Sequence, residues 1–233
     1  MNPLGADKGG FPYLCADCVT EMPWQNLADH CPVCGEPKEQ GALKCDFCLD
    51  GKKEGFQLDG VWSACRYSPP VSGWIHHMKY ERQDGLSRVA ARLWTLAPLA
   101  LEKDGPHTAD LVVPVPLHIS RLRWRGFNQS LLLAHQWVKR LRMEGRPAPL
   151  LVGDMLARSR KTRPQMEIGM EERKHNVAMA FEPGRGAVGG LCEGKRVILV
   201  DDVMTTGATL NQAAGALKQA GAARVEALVL ARA

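Results

Sequence analysis

The sequence predicts an α/β fold, a parallel sheet flanked by helices, with a small cysteine-rich module at its amino end. Two apolar runs predict the sheet: Val197 to Val200, and the stretch Asp110 to Pro116 (DLVVPVP). Short continuous runs of this kind mark strands buried on both faces of a parallel sheet. Each run is followed by helical spacing. Ala134, Trp137, Val138 and Leu141 trace one face after DLVVPVP, and Leu210, Ala213, Ala214 and Leu217 trace one after Val197 to Val200. The module is predicted by cysteines, six of the eight falling within the first 48 residues as three C-x-x-C pairs.

Size and charge bound what such a chain does. With 233 residues, 45% of them hydrophobic, it has enough apolar surface for one α/β domain plus a small module. No apolar run approaches the roughly 18 residues of a membrane span, and the opening MNPLGADKGGF lacks the apolar core of a signal peptide, so a cytoplasmic protein is expected. The net charge of +5 is uneven: residues 1–60 hold 5 Lys/Arg against 10 Asp/Glu, and Arg121 to Lys174 holds 13 basic against 5 acidic residues. The basic stretch points to a polyanionic partner, pyrophosphate or nucleic acid, and composition does not choose between them.

From Phe11 to Leu49 prolines, glycines and cysteine pairs replace regular periodicity, as in a zinc ribbon. In a reducing compartment paired thiols at this spacing read as Zn²⁺ ligands before disulfides, because four thiolates hold the ion tetrahedrally and close a segment with little core of its own. Cys31, Cys34, Cys45 and Cys48 form the first candidate quartet, leaving Cys15 and Cys18 over. The competing quartet, Cys15, Cys18, Cys31 and Cys34, has an equally buildable gap. Cys65 and Cys192 stand alone and read as thiols without a role.

Gly51 to Asp59 (GKKEGFQLD) reads as a linker, which puts a domain boundary near residue 55 and gives a module of residues 1–55 and a domain of residues 56–233. Val61 to Arg66 follows as a strand, and Val71 to Leu101 as helix in two pieces broken near Asp84–Gly85. After the DLVVPVP strand a loop is expected across LHISRLRWRGFNQ, with Arg121, Arg123 and Arg125 alternating with Leu122 and Trp124. Gly126 then gives a turn and Asn128 an N-cap. Leu150 to Val152 begins another strand, Ala157 to Gln165 (ARSRKTRPQ) has the composition of a mobile surface loop, and Val225 to Leu230 is the last strand.

The most informative stretch is Lys195 to Asn211, KRVILVDDVMTTGATLN. A buried strand ends in Asp201 and Asp202, and a loop of Thr205, Thr206, Gly207, Ala208 and Thr209 opens onto a helix. Unpaired N–H groups and the dipole at a helix amino terminus favour an anion, the threonines add hydroxyl donors, and glycine permits close backbone approach. Carboxylates only accept hydrogen bonds, so beside a phosphate they suit sugar hydroxyls. Phosphate and diol together describe a ribose 5-phosphate. A P-loop is disfavoured, because no lysine follows a glycine as GxxxxGK[ST] requires.

This stretch resembles the phosphoribosyl pyrophosphate (PRPP) motif of type I phosphoribosyltransferases. Together with the cysteine pairs, PVPLHISRLRWRGFNQS and RSRKTRPQMEIGMEERKHNVAMAF, it makes nearly the whole chain similar to the ComF family, which couples an amino-terminal zinc module to a phosphoribosyltransferase domain. The resemblance implies that Asp201 and Asp202 bind the ribose hydroxyls and Thr205 to Thr209 the 5-phosphate. Arg121, Arg123 and Arg125 would face the pyrophosphate beside Val115 to Leu117, and Arg158 to Gln165 would be a flap. The implied chemistry displaces pyrophosphate from C1 through an oxocarbenium-like state, with Mg²⁺ and arginines taking up charge. No residue is identified as a general base, so the acceptor stays open. Some members of the family are competence proteins needed for DNA uptake, which brings in single-stranded DNA and the uptake proteins as partners; Trp124 and Phe127 among arginines suit base stacking. The other reading is an active phosphoribosyltransferase with no DNA role. One departure is that related members often carry a further C-x-x-C pair before Cys15, where MNPLGADKGGFPY stands here.

Overall fold

The strand that carries the two aspartates lies at the centre of the molecule, and the other elements are arranged on either side of it. The computed structural model describes residue 14 and residues 16–49, 55–81, 85–158 and 180–233. In chain order these form α1 (Ala16–Thr20), α2 (Asp46–Leu49), β1 (Gly60–Arg66), α3 (Val71–Tyr80), α4 (Leu86–Leu96), β2 (Leu111–Pro114), α5 (Ile119–Arg125), α6 (Gln129–Met143), β3 (Leu150–Leu151), β4 (Leu156–Arg158), β5 (Phe181–Pro183), β6 (Arg196–Met204), α7 (Ala208–Gln219) and β7 (Arg224–Arg232). Five strands make one parallel sheet in the order β1-β7-β6-β2-β3, with Val197 of β6 opposite Leu111 on one side and Val225 on the other. The expected α/β architecture is therefore present.

Alternation along the strands explains the two cores. Ile198 and Val200 of β6, Val112 of β2, and Leu228 and Leu230 of β7 face Ile75 and Met78 of α3, Leu93 and Trp94 of α4, and Leu133, Trp137 and Leu141 of α6. The intervening residues Val197, Leu199, Val113, Val225, Ala227 and Val229 face the other way, against Leu210, Ala213, Ala214 and Leu217 of α7. Each fully buried side chain of this size contributes roughly 1.5–3 kcal/mol, so the apolar period decides the layering. Trp94 and Trp137 meet edge to face at 6.0 Å, and Trp94 Nε1 donates to the Val229 carbonyl at 2.8 Å, which satisfies its one polar atom in the core.

Three local expectations are corrected. The segment read as a loop around Arg121, Arg123 and Arg125 contains the seven-residue helix α5, held at its start by His118, whose Nδ1 accepts the Ser120 N–H at 3.2 Å, and stopped by Gly126 at φ 86°. Ala157 and Arg158 lie not in a loop but in β4, which pairs antiparallel with β5 and anchors Leu156 and Phe181 in the second core; the rest of that expected loop is outside the described residues. The end of the expected linker is packed down. Leu58 is 3% exposed, Asp59 Oδ2 accepts the Val225 N–H at 2.8 Å, and Asp59 Oδ1 meets Lys218 Nζ at 2.9 Å. Phe56 and Leu58 are the apolar anchors that a polar-linker reading overlooks.

Candidate functional site

After β2 the chain runs through α5 and α6 to β3 on one side, and after β6 it runs through α7 to β7 on the other. The carboxyl ends of the adjacent strands β2 and β6 thus form a topological switch point, where an open parallel sheet leaves a crevice for a ligand. Asp201 and Asp202 stand in the carboxyl-terminal half of β6 at that crevice. Asp201 Oδ1 accepts the Ser130 hydroxyl and the Asp202 N–H, both at 2.9 Å. Asp202 is 3% exposed; its Oδ1 accepts the Val203 N–H at 2.7 Å, and its Oδ2 pairs with Lys79 Nζ at 2.8 Å.

Two adjacent carboxylates in so enclosed a place repel. Burial, and then the charge of Asp202, push the Asp201 carboxyl up to about 7, against the pull of Lys79 and of the hydrogen bonds from the Asp202 N–H and Ser130. Asp201 is the more open of the two and Asp202 the more firmly held. Lys79 and Ser130 had no sequence signal as site residues. They come from the end of α3 and the start of α6, and nothing local ties either to β6.

The Thr205–Thr209 loop turns from β6 into α7. Gly207 sits at φ 78° immediately before the helix, a backbone conformation that favours glycine, and a Cβ there would meet the Met204 methyl at 2.5 Å. The Asn211 N–H closes the first helical bond on the Gly207 carbonyl at 2.8 Å. Helix geometry leaves the preceding N–H groups of Thr209 and Leu210 without an intrahelical acceptor, the arrangement that binds anions. Thr205, Thr206 and Ala208 are exposed and Thr209 is half-buried, so the loop presents its polar groups to solvent.

α5 separates the three arginines. Positions 121 and 125 are one turn apart on one face, whereas position 123 lies roughly 200° around from 121. Arg125 is buried beneath Tyr80, its guanidinium 6.0 Å from the ring centroid and its Nη1 donating to Gln129 Oε1 at 2.6 Å. Burial lowers its pKa, partly offset by Asp202 and Asp201, which shows how near the aspartates lie. Arg121 belongs to the same neighbourhood, since its charge acts on both Arg125 and Arg158. Arg123 is exposed on another face. Trp124, 55% exposed, meets the ring of Tyr80, also 55% exposed, at 6.1 Å. Beyond Arg158 the expected flap lies outside the described residues.

At the amino end, the sulfurs of Cys31, Cys34, Cys45 and Cys48 all lie within 4.8 Å of one another, and the Cys34–Cys45 distance is 3.5 Å. Tetrahedral Zn²⁺ with Zn–S bonds of about 2.3 Å sets its sulfurs about 3.8 Å apart, so these residues fit the ion. Burial raises the Cys31 thiol, yet backbone hydrogen bonds at Cys45, Cys34 and Val33, with the Cys34 thiol, outweigh it and bring the group down to about 7. Burial, then Cys34 and Cys31, hold Cys48 well above the ordinary thiol range, as a fourth thiolate added to a crowded set must be. The first quartet is thus brought together. Cys18 is exposed on α1 outside this cluster, and Cys15 lies outside the described residues. Cys65 and Cys192 are buried, and burial pushes the Cys65 thiol up to about 12, as for an unreactive core residue.

Residues 129–233 match the phosphoribosyl transferase domain. The chain is 32% identical over 203 residues to DNA utilization protein YhgH of Escherichia coli K12, covering 87% of this chain and 83% of that protein. It is 29% identical over 225 residues to competence protein F of Haemophilus influenzae, covering 94% and 90%, and 26% identical over 223 residues to competence protein ComFC of Bacillus subtilis, covering 94% and 84%.

The cysteine geometry predicts about one zinc per purified chain, measured by elemental analysis, with Cys45→Ser releasing it and Cys15→Ser keeping it. Retention by the first variant and loss by the second would move the site to the other quartet. The raised Asp201 carboxyl makes a prediction about pH. A carboxyl held above its ordinary 3.8 binds its proton more tightly in the native state, so it lowers stability as pH rises from about 4 to about 7. Asp201→Asn removes that loss, and its melting temperature should gain on the unmodified protein between pH 5 and pH 8; a gap that does not change with pH would place the carboxyl in its ordinary range.

Proposed function

The chain belongs to the ComF family, and from that membership we propose that it binds PRPP with Mg²⁺ at the carboxyl ends of β2 and β6, in support of DNA uptake during natural competence. The observation that carries this reading is the Asp201–Asp202 pair standing beside the amino terminus of α7 at the sheet's switch point. In this reading the N–H groups and threonine hydroxyls of the Thr205–Thr209 loop hold the 5-phosphate. Asp201 and Asp202 accept from the ribose hydroxyls, with Lys79 and Ser130 fixing the two carboxylates. Arg121 reaches the pyrophosphate, while Arg125, locked under Tyr80, supplies positive potential from below. The oxygen donors around Asp201 suit a hard cation. When bound, Mg²⁺ would take up charge on the leaving pyrophosphate. Should turnover occur, holding the sugar and leaving group in line would supply most of the catalysis, since no general base is identified among the described residues. Residues 1–55 act in this scheme as a zinc module and residues 56–233 as the phosphoribosyltransferase domain.

A role in handling single-stranded DNA is favoured by one further feature. Tyr80 and Trp124 form an exposed aromatic pair beside Arg121 and Arg123, the combination of stacking surface and backbone charge that strand binders use.

PRPP with Mg²⁺ should stabilise the protein. At a ligand concentration of about 100 Kd the gain is about 2.7 kcal/mol, which for a chain of this size raises the melting temperature by roughly 5–11 °C. Because Asp202→Asn weakens the Lys79 pair, the quantity to compare is the shift on adding ligand, which the Asp201→Asn, Asp202→Asn double variant should lose. A full shift in that variant would remove the aspartates from the site. For single-stranded DNA, replacing Arg121 and Arg123 by Ala should reduce the slope of log affinity against log salt by roughly 1.4. Trp124→Ala should weaken binding by about 1–3 kcal/mol with little change of slope, and no strand binding at low salt would end the DNA reading for the isolated protein.

A further inference from the structure

The cysteine knuckle is joined to the Thr205–Thr209 loop by two separate routes. The first is Arg232, at the end of β7 and 9% exposed. Its Nη1 donates at 3.2 Å to the carbonyl of Met204, the residue immediately before Thr205. Its Nη2 donates to Glu36 Oε1, two residues beyond Cys34. Gly35 lies beside it at φ 73°, where a Cβ would crowd Val61 Cγ1 at 3.1 Å and stand in ordinary contact with Cδ and Nε of Arg232 at 3.6 Å. The second route is the segment that follows the cysteines. Phe56 packs against the cysteine cluster, and its Cε2 lies 3.9 Å from the Cβ position of Gly207. The Gln57 N–H donates to Asn211 Oδ1 at 2.5 Å, and Asn211 Nδ2 donates back to the Gly55 carbonyl at 3.2 Å. Asn211 is also the residue that closes the first bond of α7.

A buried guanidinium has to find acceptors, and many carbonyls would serve. Arg232 places Nη2 on the knuckle's Glu36, while Nη1 donates to the carbonyls of Ala233 and of Met204, the last residue of β6 before the loop. We propose that Arg232 is a positioning residue for the Thr205–Thr209 loop, and that through Glu36 it makes the loop's geometry depend on whether the knuckle is closed on its metal. A closed knuckle fixes Glu36, Glu36 orients the planar fork of the guanidinium, and the fork, together with the Ala233 N–H at 3.0 Å, holds the Met204 carbonyl from which the loop departs. An opened knuckle releases Glu36 and leaves the Nη2 arm of the fork without its anchor, so the N–H groups that face an anion lose part of their pre-arrangement. The coupling is reciprocal, so occupation of the loop by a phosphate strengthens the hold of the cysteines on their metal.

Glu36 is suited to the test because its side chain is 43% exposed and is not a ligand, so replacing it spares the four cysteines and the core. Hydrogen exchange is followed by mass spectrometry on the full zinc-loaded chain and on Glu36→Ala and Glu36→Gln. In Glu36→Ala the zinc content should stay at the unmodified level while the first hydrogen-bonded amides of α7, 211–213, exchange at least roughly 5-fold faster, with residues 111–114 and 197–200 unchanged. Glu36→Gln keeps an oxygen at the same reach and should restore most of the protection. Chelation of zinc from the unmodified chain should give the same local pattern. Unchanged exchange at 211–213 in Glu36→Ala, or a rise spread evenly over the sheet strands, would overturn the proposal. A PRPP titration adds a second readout that does rest on the preceding function: affinity should fall at least roughly 5-fold in Glu36→Ala. The exchange result stands whether or not PRPP binds, so failure of the one reading is distinguishable from failure of the other.

Discussion

Two carboxylates placed side by side at the end of a buried strand are the constraint on which the rest of the site depends. Moving charges of the same sign into an enclosed place costs several kcal/mol each unless partners are supplied, and losing one member of a buried pair costs about 3–5 kcal/mol. The structure meets this demand from three directions. α3 ends so that Lys79 reaches Asp202, α6 begins so that the Ser130 hydroxyl reaches Asp201, and the backbone of β6 turns its own N–H groups onto both side chains. The helices are thus placed by apolar packing along their length and by charge at their ends. What is left unneutralised, the raised Asp201 carboxyl, sits at the crevice where a ligand's hydroxyls would arrive.

The same economy governs the link between the cysteine module and the sheet. The Val61 N–H donates to the Pro32 carbonyl at 2.9 Å, so the edge strand β1 is covered by the knuckle instead of being left open to pair with another chain. One contact surface therefore protects an edge, carries Gly35 against Arg232 and brings Phe56 between the cysteines and α7. The module is thereby tied to both ends of the Thr205–Thr209 loop, through Glu36 and Arg232 to Met204 and through Gly55 to Asn211.

What could be read in the sequence follows from how far apart the interacting residues lie. The β6–loop–α7 unit is contiguous, so its apolar run, its aspartates and its TTGAT all appear within one short window. The four cysteines are nearly so; the pair spacing allowed two quartets, and it is the sulfurs of Cys31, Cys34, Cys45 and Cys48 that come together. Lys79 and Ser130 could not be found this way, because they meet the aspartates only after the helices have packed. Arg232 and Glu36, 196 positions apart, are further still from any local pattern. The arginines of α5 fail for another reason. A helix of seven residues leaves too few turns for periodicity to show, and the alternation of Arg with Leu and Trp imitates an irregular segment, so three arginines read as one group are divided between two faces.

The central claim is that this end of the sheet holds a ribose 5-phosphate, and a crystal structure of the protein with PRPP and Mg²⁺ tests it most directly. The 5-phosphate is expected on the N–H groups at the start of α7 within the Thr205–Thr209 loop, the ribose hydroxyls on Asp201 and Asp202, and the pyrophosphate toward Arg121. Density for the ligand with its sugar away from the two aspartates, or with its 5-phosphate bound outside that loop, would contradict it.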